Sequence, residues 1–310
     1  MGDVRAALIV NPATRLAGSA VREVTLACAV QGWQPPLVLM TTAEEPGAAQ
    51  TAQALAQGVD RVIVAGGDGT VRHVAGALAS VAGGANPVPM AVVPVGAANL
   101  VARNLGLKTG RLDDASQIAL TGWPHLLSVG WVACLRDGTW GDDLPMVAVA
   151  GIGRDAEAIA AIRPSLKQLA GWLAYAEAGG RQALRPSMPM TVVMDDGDAE
   201  DVSAWSVLVA NLPRLPLGIV AFPDVQPGNE TMQVLQVQLR HPGQWGAVAV
   251  KGIGHTSGDV PALRYSSANW VSVRTGHALP VQIDGDLLPA AHAMRVRLQP
   301  HAIQVMMPNE

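Results

Sequence analysis

Cysteine is nearly absent from this 310-residue chain: Cys28 and Cys134 are the only two, and both lie in apolar stretches. Neither has metal-ligand spacing to a partner, which favours two buried thiols over a disulfide or a zinc site. Aromatics make up only 4% of the residues, with one Phe and two Tyr, and Lys and Arg never gather into a block. The electrostatic and stacking footprint of a nucleic-acid binder is therefore missing. Charged residues are also few, 15% against 49% hydrophobic, with a net charge of −4, a composition too apolar for extended disorder. No apolar run approaches the ~18 residues of a spanning helix, and residues 1–20 read as strand and loop rather than as a signal peptide. The expectation is a cytoplasmic chain. Without long basic segments, any contact with a membrane surface has to be local, peripheral and mostly apolar.

The length suits two domains, each with a core of its own. Over the first 125 residues short apolar runs alternate with amphipathic stretches, the pattern of a parallel sheet with crossover helices. The strands are read at Ala6–Val10, Leu37–Met40, Arg61–Ala65 and Met90–Val93. Thr42 with Glu45 forms a capping-box pattern ahead of a Gln/Ala-rich helix that Gly58 should stop. After Trp123-Pro124 come many β-runs with turn signals: Ser128–Leu135, Met146–Ala150, Met190–Met194, Ser206–Ala210, Met232–Leu239, Trp270–Arg274, Leu279–Ile283 and Met294–Leu298. Asp195-Asp196-Gly197-Asp198 reads as a hairpin turn, and Asp155–Leu184 as the one substantial helical interruption, broken near Pro164. The predicted organisation is an α/β domain over residues 1–124, a β-rich domain over 125–300, and a last strand within 301–310 that rejoins the first.

The most informative segment is Val62–Thr70, a buried strand that runs into Gly66-Gly67-Asp68-Gly69-Thr70. Val71, Val74, Ala75 and Leu78 follow at helical spacing, so the glycines lie at a helix N-terminus, where free N–H groups and the macrodipole favour a phosphate. Glycine lets phosphate approach the backbone with no Cβ in the way. Asp68 makes sense in an anion site when a divalent cation or a proton transfer involves it, the combination that phosphoryl transfer needs. A tight turn with a capping aspartate is the plainer reading of a bare Gly-Gly-Asp. Two other strand ends share the same edge of an open α/β sheet. Asn11-Pro12-Ala13-Thr14-Arg15 offers an amide, a hydroxyl and a guanidinium, and Pro94–Asn99 supplies Gly96 and Asn99 before a helix containing Arg103. Either would be an everyday turn alone; with Gly66–Thr70 they outline a nucleotide crevice that lacks the dinucleotide Gly-x-Gly-x-x-Gly pattern.

At these residues the sequence resembles the diacylglycerol kinase catalytic family, which includes bacterial soluble lipid kinases and sphingosine and ceramide kinases. The likeness continues in Val71–Val74, Ala102-Arg103, Gly151–Ala156, Asn211, Pro213 to Gly218, Phe222-Pro223 and Asp284-Gly285-Asp286. The resemblance implies a phosphofructokinase-like α/β nucleotide domain, a C-terminal β-sandwich that takes the lipid, and catalysis in the cleft between them. It also implies ATP with Mg²⁺ and transfer of the γ-phosphoryl group to a lipid hydroxyl. Carried onto this chain, Gly66, Gly67, Gly69 and Thr70 would cradle phosphate, and Asp68 would serve the metal or the hydroxyl. Asn11, Thr14, Arg15, Gly96 and Asn99 would line the nucleotide. Asp286 holds the acidic position of the family's Asp-Gly-Glu motif, as general base on the acceptor hydroxyl. Asp155 would lie near the active site, although it could equally cap a helix. The expected partners are ATP, a lipid alcohol, a membrane surface touched transiently and a second copy in a homodimer, with no nucleic acid.

The chain departs from the family at Ala97, where a threonine is usual, at Leu100 in place of an aspartate, and at Asp286 in place of a glutamate. Gln233 stands in Gly228–Val234, where the family commonly reads Asp-Gly-x-Leu-Asp-Val and some bacterial members hold a structural Mg²⁺. Ile159, Ile162, Leu166, Leu169, Trp172 and Leu173 are candidates for lining an acyl pocket, though such a stripe is more often core. Two rival readings stand beside the lipid kinase. An NAD kinase shares the glycine–aspartate loop, but its Thr-Pro-Thr-Gly-Ser-Thr-Ala-Tyr string is absent here. A catalytically weak regulator of the same fold would explain the departures.

Overall fold

The computed structural model describes residues 4–81, 88–160, 185–215, 220–239, 244–245 and 260–309. The helical stretch expected beyond Ala160, with Ile162, Leu166, Leu169, Trp172 and Leu173, lies outside the described residues, as does part of the Pro213 to Gly218 segment. Two compact units emerge, the first made of Met1–Val129, Pro227–Asn229 and Gln299–Glu310, the second of Gly130–Gln226 and Glu230–Leu298.

In the first unit β1 (Ala6–Val10), β3 (Arg61–Gly66) and β4 (Met90–Pro94) are buried at almost every position. Unbroken Val/Ile/Ala runs of this kind suit a parallel sheet covered on both faces. β2 (Leu37–Met40) forms the outer edge beside β1, with Leu8 opposite both Val38 and Ile63. β3 pairs with β4, and the end of β15 (Asp286–Met307) adds a parallel partner through Val305 and Met90. One face is closed by α1 (Ala17–Val30) and α5 (Leu112–Thr121), whose Ala20, Val24, Cys28, Ala115 and Ala119 pack with Leu8, Val10, Ile63, Ala65 and Val93. Full burial of residues such as Leu8 or Ile63 contributes about 1.5–3 kcal/mol each. α2 (Ala48–Ala56) and α3 (Asp68–Ser80) pack against each other.

The Thr42/Glu45 pair does not cap α2. Thr42 Oγ1 accepts from Glu45 N in a separate turn, and the helix starts after Gly47, whose φ of 148° no side-chain-bearing residue adopts easily. A Cβ at Gly47 would also meet Val74 Cγ2 at 2.9 Å, so close packing on α3 decides where the helix begins. Its end is where expected, with Gly58 at φ 66°.

The second unit is antiparallel. β8 (Val149–Gly153), β11 (Ser206–Ala210), β12 (Met232–Val237) and β13 (Leu263–Ala268) lie side by side, and β14 (Trp270–Ile283) follows on the other side of β8. β14 then pairs with the first half of β15 and, through Val271–Thr275, with β9 (Met188–Met194), which carries β10 (Glu200–Ala204). β5 (Trp123–Arg136) pairs with β6 (Thr139–Trp140) and β7 (Leu144–Met146). The two expected runs Trp270–Arg274 and Leu279–Ile283 are one strand, with register shifts between Arg274 and Val281.

The expected strand Met146–Ala150 is broken, and the cause is a buried carboxylate. Asp284, 5% exposed, accepts hydrogen bonds from Val147 N, Ala148 N and Val149 N at 2.8–2.9 Å. Asn211 reinforces the break, since its Nδ2 donates to Val147 O and its backbone N to Ala148 O. Asp284 and Gly285 have φ of 52° and 88° between the paired residues Ile283 and Asp286, the geometry of a two-residue type I′ hairpin. Asp284→Ala would strand three buried N–H donors. We expect it to lower the unfolding free energy by roughly 3 kcal/mol or more in denaturant melts. A loss under about 1 kcal/mol would show that the 147–149 turn stands without the carboxylate.

Candidate active site

The order of the first sheet reverses between β1 and β3, because the chain leaves β1 for β2 and returns across β1 to form β3. In open α/β sheets the crevice beyond the carboxyl ends of the strands at such a reversal is the usual ligand site. The Asn11 loop follows β1 there, and the Gly66–Thr70 loop follows β3; Asn11 N donates to Ala65 O at 3.0 Å and ties them together. Asn11 Oδ1 accepts from Ala13 N, and Thr14 Oγ1 donates to Asn11 O, so local turn bonds hold this loop while Arg15 is exposed.

The third loop touches the second. A Cβ on Gly96 would lie 2.5 Å from Gly67 Cα, and one on Gly66 would lie 2.6–2.9 Å from the Thr70 side chain. Glycine is thus required at both positions by neighbouring protein atoms as well as by any phosphate. Asn99, 7% exposed and left-handed at φ 50°, closes its loop by accepting from Gly96 N and donating to Gly96 O, at 2.9 and 2.8 Å. Both ends of the Asn99 amide therefore shape the loop. Ala97, in the middle of that loop, is exposed.

Asp68 is the first residue of α3, and its Oδ1 accepts from Val101 N at 2.9 Å in the first turn of α4 (Leu100–Asn104). The aspartate of one loop caps the helix that follows the next. α3 itself has no side-chain cap, and its first turn is made of the loop residues Asp68, Gly69 and Thr70, an arrangement that suits phosphate oxygens. Among the described residues no group of three or more His, Cys, Asp or Glu could hold a metal. A cation at Asp68 would thus draw most of its ligands from nucleotide phosphates and water, as Mg²⁺ commonly does. Gln233, in the Gly228–Val234 stretch, donates from Nε2 to Asp224 Oδ2 at 2.8 Å, so an amide is paired with that carboxylate.

In the second unit Asp286 is exposed where β15 leaves the hairpin turn. Asp155 lies in the first turn of α6 (Arg154–Ala160), and its backbone N donates to Ser206 Oγ. Its Oδ2 accepts from Gln282 Nε2 at 3.3 Å, while Oδ1 is shut from solvent and has no partner. Burial pushes this carboxyl up to about 6, against the opposing pull of Ser206, the Ala156 backbone and Gln282. Gln282 and Ser206 escaped the reading of the sequence; the only signal was a polar residue directly before the Ile283-Asp284-Gly285 turn.

The first unit has counterparts among known proteins. Residues 5–132 match the diacylglycerol kinase catalytic domain. That stretch resembles the family. The chain is 26% identical to the diacylglycerol kinase of Bacillus subtilis strain 168, over 81% of this chain and 78% of that protein. It is also 26% identical to a probable YegS-like lipid kinase of Chromohalobacter salexigens, over 81% and 77%. An uncharacterized Synechocystis protein, sll0036, matches at 24% over 82% of this chain, which spans 56% of that longer relative. In fold, a crystal structure of a diacylglycerol kinase from Bacillus anthracis str. Sterne aligns with a TM-score of 0.70 at 20% identity, covering 98% of this chain and 97% of that one. Yeast NADH kinase complexed with NADH aligns at a TM-score of 0.55 and 11% identity, over 100% and 85%. No described helix is long and apolar enough to cross a membrane. The family is one of lipid kinases and so implies use of a nucleotide.

The Asp68 cap separates charge from structure. Asp68→Asn keeps an oxygen for Val101 N and should unfold within about 0.5 kcal/mol of the parent, whereas Asp68→Ala should lose about 1 kcal/mol, as lost caps do. Equal stabilities in thermal melts would remove the capping role. For Asp155, a folded-state value raised to about 6 means that the native state binds the proton more tightly than the unfolded chain. This contribution is full below the ordinary aspartate range and is lost as pH rises through about 6. The stability of Asp155→Asn relative to the parent should therefore rise between pH 4 and pH 7 and then level off; a pH-independent difference would show that Asp155 titrates normally.

Proposed function

We propose that the chain is an ATP-dependent lipid kinase, transferring the γ-phosphoryl group of Mg·ATP to the hydroxyl of a lipid such as diacylglycerol or a sphingoid base. The observation that carries the reading is the uncapped N-terminus of α3 behind Gly66–Thr70, in a stretch that matches a lipid-kinase catalytic domain. In this reading residues 1–124 and the returning 301–310 strand are the nucleotide domain, and 125–300 take the lipid acceptor. Gly66, Gly67, Gly69 and Thr70 receive phosphate through backbone N–H groups, and Gly96 and Asn99 keep the adjoining loop open. Asn11, Thr14 and Arg15 serve the remaining phosphates and the ribose. Asp68 is the residue that would hold Mg²⁺, which supplies charge neutralisation on the phosphates when bound.

Asp286 removes the proton of the acceptor hydroxyl. Its exposure leaves the carboxylate accessible to a substrate, and its neighbour Asp284 is unsuited to the role because three backbone N–H groups occupy it. A loose phosphoryl-transfer transition state asks mainly for positioning and mild proton removal, which an ordinary carboxylate provides. A lipid acceptor brings the chain to a membrane surface transiently, from the cytoplasm, and a homodimer is compatible with this use.

The test is transfer of labelled γ-phosphate from Mg·ATP to detergent-dispersed lipid alcohols, run beside NAD and a no-acceptor control. A phosphorylated lipid supports the proposal and identifies the acceptor class. Label in NAD alone, or nucleotide binding without transfer to any acceptor, overturns it in favour of a nucleotide kinase or a regulator. Asp286→Asn should lower kcat by about 10²-fold or more with little change in the KM for ATP, the loss typical of a missing general base.

A further inference from the structure

Gln282 is 3% exposed in β14, between Val281 and Ile283, which alternate onto the opposite, core-facing side. A buried amide is costly unless both ends are paired. Gln282 Oε1 accepts from Gly285 N at 3.0 Å, and Nε2 donates to Asp155 Oδ2. Its register partner on β8 is Gly151, where a Cβ would collide with Asp155 Oδ2 and come within 2.6 Å of Leu208 Cδ2. The bare backbone at Gly151 thus makes the space in which the Asp155 carboxylate reaches Gln282. The turn does not need this bond to form, because the Ile283–Asp286 pair and the three bonds to Asp284 already close it.

We infer that Gln282 is a positioning residue that fastens the turn carrying Asp286 to the Asp155 carboxylate. This rests on the reading of Asp286 as the proton acceptor. One end of the amide holds the peptide N–H of Gly285, directly before Asp286, and the other holds a carboxylate from a different element. The direction in which Asp286 leaves the turn is thereby set relative to α6.

Two variants of the full chain test it, Gln282→Leu, which removes both bonds, and Gln282→Glu, which keeps an acceptor for Gly285 N but can donate to Asp155 only when protonated. In Gln282→Leu, amide exchange at Gly285 should accelerate by about tenfold or more. The Asp155 carboxyl should titrate higher by NMR, and kcat should fall about tenfold to a hundredfold at nearly constant KM for ATP. In Gln282→Glu, exchange at Gly285 should stay slow, and kcat relative to wild type should recover as pH is lowered. Unchanged Gly285 exchange and Asp155 titration in Gln282→Leu would overturn the inference, as would unaltered turnover where Asp286→Asn is inactive. Should wild type phosphorylate no lipid, the proposed function fails separately, and the exchange and titration readouts alone decide the link.

Discussion

Gly67 and Gly96 meet backbone to backbone, and the candidate nucleotide edge is organised around that contact. With no side chain on either residue, the loops after β3 and β4 come close enough for Asp68 to reach the first turn of α4. Asn99 must then bend through a left-handed conformation and fold its amide back onto Gly96. The aspartate that chemistry would require and the aspartate that the fold requires are one residue. That sharing keeps the carboxylate in a defined position before any ligand arrives, which is the kind of preorganisation that electrostatic catalysis rewards.

The second unit solves a different problem. Its strands carry buried polar side chains, each of which has to be met by backbone or by another side chain. Asp284 satisfies three consecutive N–H groups and in doing so interrupts β7 and β8; Gln282 spans from the same turn to Asp155. The Asp284-Gly285-Asp286 string thus divides its labour. The first aspartate builds, the glycine supplies the positive φ, and the second aspartate is left accessible.

Much of this architecture could be read from residue pattern. Runs such as Val62–Ala65 and Met90–Val93 announce parallel strands because burial on both faces leaves no polar position, and the strand–Gly-Gly-Asp-Gly-Thr–helix string announces a glycine loop opening a helix. Asp195 and Asp284 were legible as turns because aspartate tolerates left-handed backbone. What escaped depends on partners distant in sequence. Thr42 and Glu45 form a local turn, but Val74, contributed by another helix, decides where α2 starts. Met146–Ala150 looks like one strand until Asp284, more than a hundred residues away, takes its amides. The Asp68–Val101 cap and the Gln282–Asp155 bond are equally silent in one dimension, since each joins side chain to partner across elements.

The first unit draws its last parallel strand from residues made after the whole of the second, with Val305 beside Met90 and Met306 in the core of α1 and α5. During synthesis the outer edge of β4 must wait, unpaired, while the second unit emerges. At ordinary translation rates that is about 10–40 s with an apolar strand edge open to other nascent chains. The protein is therefore vulnerable to misassembly as a half-made chain until the strand through Val305 emerges and ends that exposure.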